Sequence, residues 1–146
     1  IGDDTDGHVD TLARFCSPDT IAYVQCTDPE DAHYDNLAAM ERQLRSFRTA
    51  GGQQYNLVPL PLPDPIYLED YRLPASYANF LIVNGGVLLP GSGSPKDEKA
   101  RKALQDVFPD REVVVIDCRA LLSGHGSLHC VTMQYPEGYL RTDNVL

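Results

Sequence analysis

The chain is 146 residues long, 42% hydrophobic and 23% charged, and 12 basic against 21 acidic side chains leave a formal charge of −9. That size suits one globular domain with a core of its own, and the acidity opposes a phosphate backbone, which argues against nucleic-acid binding. No apolar run approaches the roughly 18 residues of a membrane helix, and no stretch reads as a basic, apolar signal segment.

The chain opens on the polar run Asp3-Asp-Thr-Asp-Gly-His-Val-Asp10. Asp3, Asp4 and Asp6 read mainly as turn formers. His8–Cys16 reads as a strand, where residues two apart face the same side, so His8 and Asp10 would emerge together. An imidazole beside a carboxylate suits general acid/base work on a charged substrate. The alternative is a histidine held by a structural hydrogen bond. A second strand, Ile21–Cys26, follows through Ser17-Pro-Asp19. Asp28 then caps a helix with Pro29 in its first position and Glu30 and Asp31 at its positive end. Leu37, Met40, Leu44 and Phe47 form its apolar stripe, and Gly51-Gly52 stops it. Tyr55–Leu60 is the next strand, and the proline-dense run Pro59–Pro65 reads as a stiff loop.

The order strand, strand, helix, strand then recurs. Asn79–Val83 and Val87–Leu89 are strands joined by Asn84-Gly-Gly86, a hairpin signal. Ser94-Pro-Lys-Asp97 resembles a capping box, with Ala100, Ala103, Leu104 and Val107 as the stripe of the helix. Pro109 and Asp110 end that helix, and Glu112–Asp117 is the strand after it. Gly91-Ser-Gly-Ser94 lacks the Gly-Lys-Ser/Thr of a phosphate loop. The fold class is thus α/β, with repeated units at 1–62 and 73–120 and a further, closing strand near 130–135. Stacked repeats need about three copies or more, and the chain starts at Ile1 directly on a polar cluster; both lead to the expectation of a piece of a longer protein.

A second polar cluster is Gly124-His-Gly-Ser-Leu-His-Cys130. Gly124, Gly126 and Ser127 allow close backbone approach. Cys130, at a loop-to-strand junction beside amides and imidazoles, fits an activated thiolate, or else a buried strand cysteine. Zinc is the competing reading for His125, His129, Cys130, His8 and Asp10. It is disfavoured because no paired Cys-x-x-Cys is present and His129 and Cys130, adjacent on a strand, would face opposite sides. The four cysteines (Cys16, Cys26, Cys118, Cys130) are irregularly spaced and read as thiols of a reducing, cytoplasmic compartment.

Gly7-His-Val-Asp10, Leu73-Pro-Ala-Ser-Tyr-Ala-Asn-Phe80, Asn84-Gly-Gly-Val87, Phe108-Pro-Asp-Arg-Glu-Val113 and Gly126-Ser-Leu-His-Cys130 together resemble the C-terminal part of agmatine deiminases. These belong to the bacterial-type peptidylarginine deiminase group of the guanidine-modifying (pentein) superfamily. The resemblance implies a five-bladed α/β propeller of which this chain holds about two blades. It implies Cys130 as nucleophile, His8 as general acid/base and Asp10 as the carboxylate gripping a guanidinium, with Asn79 and Gly126 lining the substrate site. His125 interrupts the glycine-rich run that relatives carry. The implied reaction converts agmatine and water to N-carbamoylputrescine and ammonia, a step towards putrescine, without metal or organic cofactor. Acidic residues from other blades would complete the cation clamp, so this piece alone would be incomplete. The implied partner is a small cationic guanidino compound; self-association into a homo-oligomer is left open. A peptidylarginine deiminase and a non-catalytic binding module are the alternatives.

Overall fold

The computed structural model describes residues 8–136, 138 and 139; Asp3, Asp4 and Asp6 lie outside them. Two three-stranded sheets with the same connectivity organise the chain. In the first, β1 (Ala13–Ser17) pairs antiparallel with β2 (Thr20–Gln25), α1 (Tyr34–Ser46) crosses over, and β3 (Asn56–Pro61) returns parallel to β2. A short antiparallel ladder, β4 (Tyr67–Leu68) with β5 (Tyr71–Arg72), follows. In the second sheet β6 (Leu81–Val83) pairs antiparallel with β7 (Gly86–Gly91), and after α2 (Lys96–Val107) β8 (Glu112–Asp117) runs parallel to β7. The β6–β7 turn places Gly85 at φ 79°, which only glycine adopts without cost. A short helix, α3 (Arg119–Leu122), leads to the glycine-framed loop.

Alternate residues of β2 bury on opposite faces, as a strand covered on both sides requires. Ala22 and Val24 join Leu60, Leu89, Ala100 and Leu104 in the main core, while Ile21 and Tyr23 join Leu44 of α1 in a second cluster. The main core draws on both sheets, with α2 contributing Ala100 and Leu104 from its buried stripe. Burying one such side chain stabilises by about 1.5–3 kcal/mol, so this shared core binds the two units into one body.

Several expectations are corrected. His8 and Asp10 do not lie on a strand. Val9–Thr11 is a 3-10 turn, closed by Leu12 N–H to the Val9 carbonyl at 2.8 Å and by the Thr11 hydroxyl to the His8 carbonyl at 3.0 Å. A side-chain hydroxyl that bonds back three residues competes with a ladder, and residues two apart in such a turn face different directions. The helix expected from Asp28 begins at Tyr34. Two successive i→i+3 turns precede it, Asp31 N–H to Asp28 O and Tyr34 N–H to Asp31 O. The Asp31 carboxylate is drawn into a two-pronged pair with Arg72 at 3.0 and 3.1 Å. Phe47 lies beyond α1 and half-exposed, because the Arg48 guanidinium caps the carbonyls of Arg45, Ser46 and Phe47.

The ladder of β3 continues through Pro59 and Pro61, opposite Tyr23 and Gln25. It can, since among the described residues β3 is an edge strand bonded on one side only. The expected strand at Cys130–Tyr135 is absent among the described residues: His129–Val131 form a 3-10 turn, and the chain after it is irregular.

Candidate active site

The site is built around an irregular buried stretch, Leu73–Phe80. An apolar run with two polar side chains must find internal partners for them. The Ser76 hydroxyl donates to the Thr11 carbonyl at 2.5 Å and accepts the Ala78 N–H at 3.1 Å, which ties this stretch to the turn carrying Asp10. Tyr77, fully buried, donates its hydroxyl to Asp97 at 2.5 Å; burial first, and the neighbouring Asp97 next, push its pKa up. Asp97 also receives the backbone N–H groups of Ser92 and Gly93, so the N-terminus of α2 and the buried stretch share one anchor.

Pinned in this way, Asn79 is completely buried and reaches in three directions. Its Nδ2 donates to Asp10 Oδ2 at 3.0 Å. Its Oδ1 accepts the His129 backbone N–H at 2.8 Å and, more weakly, the Cys130 thiol at 3.6 Å. His129 closes the circuit: its Nδ1 lies 2.7 Å from the same Asp10 Oδ2. Asp10, Asn79, His129 and Cys130, drawn from three distant stretches of the sequence, thus meet in one hydrogen-bonded cluster.

Arg14 flanks the cluster. Its guanidinium lies over the Phe80 ring at 5.3 Å and donates to the Phe80 carbonyl at 2.8 Å. Burial lowers the pKa of Arg14, and the Asp10 carboxylate opposes that drop. An open cleft of about 450 Å³ begins here, lined by Asp10 and Arg14 with apolar neighbours such as Val9, Phe15 and Phe47.

The expected site residues divide as follows. Asp10, Asn79 and Cys130 come together, and Cys130 is exposed. Gly126 lies directly against the cysteine, since a Cβ added there would stand 3.4 Å from the Cys130 Cβ. His8 sits at the entry of the turn that carries Asp10 and is exposed; its imidazole forms no hydrogen bond or ion pair with another described residue. His125, which interrupts the glycine run, takes φ 60° and packs edge-on against Tyr71 with ring centroids 5.1 Å apart. The backbone there keeps the left-handed form that glycine favours, a conformation histidine tolerates better than most residues. Sequence reasoning missed the tie between His129 and Asp10, together with the roles of Ser76 and Arg14. Polar Ser76 and Asn79 inside an otherwise apolar run were the available signal.

Among the described residues no group of three or more His, Cys, Asp or Glu side chains is placed to hold a metal ion. The four cysteines are unbridged, and burial pushes Cys16 up to about 11. Among the described residues no helix is long and apolar enough to cross a membrane.

The profile of the Porphyromonas-type peptidyl-arginine deiminase family matches residues 1–136. The agmatine deiminase of Ectopseudomonas mendocina (strain ymp) is 38% identical over 152 residues, an overlap covering 92% of this chain and 41% of that protein. Among solved structures, a Porphyromonas gingivalis protein provisionally named an arginine deiminase is 58% identical with a TM-score of 0.94, covering 96% of this chain and 41% of its own. A cysteine-to-serine variant of C. jejuni agmatine deiminase, solved with substrate bound, is 41% identical with a TM-score of 0.81, covering 88% and 37%. The chain spans about two fifths of the length of the curated relatives it matches.

Proposed function

The chain belongs to the Porphyromonas-type peptidyl-arginine deiminase family, and from that premise we propose that the whole protein hydrolyses a guanidino group, with agmatine as the substrate. The observation that carries this reading is the cluster in which Asp10, Asn79, His129 and Cys130 converge. A guanidinium carbon is a weak electrophile, so the chemistry calls for a soft, strong nucleophile and for carboxylates that hold the cation in line with it. Cys130, Asp10 and Gly126 supply those elements at one place.

In the proposed reaction the Cys130 sulfur, as thiolate, attacks the guanidinium carbon while Asp10 pairs with the substrate N–H groups. The C–N bond breaks, and ammonia leaves with a proton from His8. A covalent thiouronium remains on the sulfur. His8 then takes a proton from water, the resulting hydroxide adds to the same carbon, and, as the adduct's O–H proton passes to solvent, the C–S bond breaks to release N-carbamoylputrescine and the thiolate. Atoms balance as agmatine plus water to N-carbamoylputrescine plus ammonia, and no step requires a metal or organic cofactor. The role of His8 is supported by its exposure at the entry of the turn that carries Asp10. Asn79 orients Asp10 and Gly126 leaves room at the sulfur.

The two sheets of like connectivity support a reading of 1–62 and 73–120 as two blades of a five-bladed propeller. Further blades would supply the remaining acidic groups of the clamp, and this chain by itself would then be inactive. Four unbridged thiols support a reducing, cytoplasmic setting.

The test is an assay of the whole protein with agmatine, following ammonia and N-carbamoylputrescine. Turnover that Cys130→Ser abolishes is expected; turnover that survives this change, or none with the wild type, refutes the reading. A second reading, action on peptidyl-arginine, is favoured by the description of the matching family. An arginine peptide in the same assay, read as citrulline, discriminates the two. Selective, His8-dependent labelling of Cys130 by a chloroacetamidine separates both from a non-catalytic module, in which His8→Ala would leave the labelling unchanged.

A further inference from the structure

We propose that His129 is a positioning residue that fixes the substrate-gripping carboxylate, an inference that rests on the deiminase reading above. Three hydrogen bonds form a closed ring: His129 Nδ1 to Asp10 Oδ2 at 2.7 Å, Asn79 Nδ2 to that same oxygen at 3.0 Å, and His129 backbone N–H to Asn79 Oδ1 at 2.8 Å. A carboxylate oxygen only accepts, so Nδ1 carries the hydrogen of the first bond. Two donors therefore converge on one oxygen of Asp10. Its other oxygen, Oδ1, keeps its lone pairs for an incoming N–H among the described residues. Both side chains are mostly shielded, His129 at 26% and Asp10 at 20% exposure, so the bond lies where solvent screens it weakly.

The ring also explains why the histidine directly precedes the cysteine. In the 3-10 turn His129–Val131 the backbone N–H of His129 is spent on Asn79, and Asn79 Oδ1 in turn meets the Cys130 thiol. A single residue thereby sets the register between the carboxylate and the sulfur. On a strand, the arrangement expected from sequence, His129 and Cys130 would point to opposite faces, and the sulfur would lie away from the ring. His129 moves no proton in this scheme; it acts through Asp10.

The experiment compares His129→Asn, His129→Gln and His129→Ala in the whole protein with agmatine. Asparagine places an amide N–H near the position of Nδ1, whereas glutamine places it near Nε2. Loss of a charge-assisted hydrogen bond is expected to lower kcat/KM about 10- to 100-fold in the Ala and Gln variants, mainly through KM. The Asn variant is expected to recover to within about threefold of wild type, and all three are expected to keep the wild-type shape of the pH–rate profile. Asn and Ala variants equally impaired, an unimpaired Ala variant, or a pH limb lost in the Asn variant would each overturn the proposal. Should the variants fold poorly, nitrogen NMR of the histidine-labelled wild type decides. A hydrogen-bonded Nδ1–H of His129 is expected, and an Nε2–H tautomer overturns the inference. A wild type inert towards guanidino compounds sinks the deiminase reading itself, whereas an active wild type with any of the contrary variant results sinks this inference alone.

Discussion

Replacing Asn79 by alanine removes the member of the site with the most partners. The side chain is fully buried and donates to a carboxylate at 3.0 Å while accepting a backbone N–H at 2.8 Å. A hydrogen bond to a charged group contributes about 1.5–3 kcal/mol, and an unsatisfied buried N–H costs about 1–3 kcal/mol. Allowing for relaxation and entry of water, the expected loss is about 3 kcal/mol. With a urea slope of about 2 kcal/mol/M this lowers the unfolding midpoint by about 1.5 M. The charged analogue Asn79→Asp sharpens the test. It keeps the shape, loses the donor and sets a second carboxylate against Asp10. Two such carboxyls cannot both ionise without strong repulsion, so they hold one proton between them and one has its pKa raised. A raised pKa in the folded state means stability present at low pH and lost as pH rises. The midpoint of Asn79→Asp is therefore expected to climb as pH falls from about 8 to 5 relative to Asn79→Ala. A shift below about 0.3 M for Asn79→Ala, within the error of such fits, would refute the account. So would parallel pH behaviour of the two variants.

The Asp31 carboxylate is pushed up by burial, but hydrogen bonds from Arg72 and from the His33 backbone and ring outweigh this and hold it well below the usual carboxylate range. Its stabilisation is thus present above the ordinary carboxyl pKa of about 3.9 and lost as pH falls beneath it; urea midpoints of Asp31→Asn should show a flatter acid limb than wild type. Gly91→Ala would put a Cβ 2.6 Å from Val115 Cγ1 and 3.1 Å from Asp97 Oδ2; overpacking of this kind costs about 1–3 kcal/mol, read as a lower thermal midpoint. Iodoacetamide at about pH 8 should modify Cys130 well ahead of Cys16 and Cys118 in peptide mapping, because Cys130 is exposed while burial pushes Cys16 and Cys118 up; equal rates at all four cysteines would contradict the burial argument.

Much of the fold was legible because its signals are local. The apolar spacing at Leu37 and Leu44 and the Asn84-Gly85 turn each depend on residues a few positions apart, and each lies where those rules put it. The capping box expected at Ser94, by contrast, does not form, because the Asp97 carboxylate takes the Ser92 and Gly93 N–H groups instead. Boundaries shifted where a distant partner outbid the local rule. Arg72 draws the Asp31 carboxylate away from the start of α1, and Thr11 folds the backbone at His8 into a turn. The site was legible as residue types and not as contacts. Asp10, Asn79 and Cys130 could be chosen from sequence, but a bond spanning 119 positions, His129 to Asp10, leaves no periodic trace. Assuming a strand at Cys130 also hid it, by sending His129 to the wrong face.

The prolines of β3 have a consequence for how molecules meet. Asn56 and Leu62 donate their N–H groups inwards, to Asp19 and Gln25 of the β2 side, so by alternation the N–H groups facing outwards belong to positions 57, 59 and 61. Two of those three are prolines and have none to offer. A foreign strand approaching that flank meets one lone donor at Leu57, too few to zip against, and fibrous stacking must begin elsewhere if it begins at all.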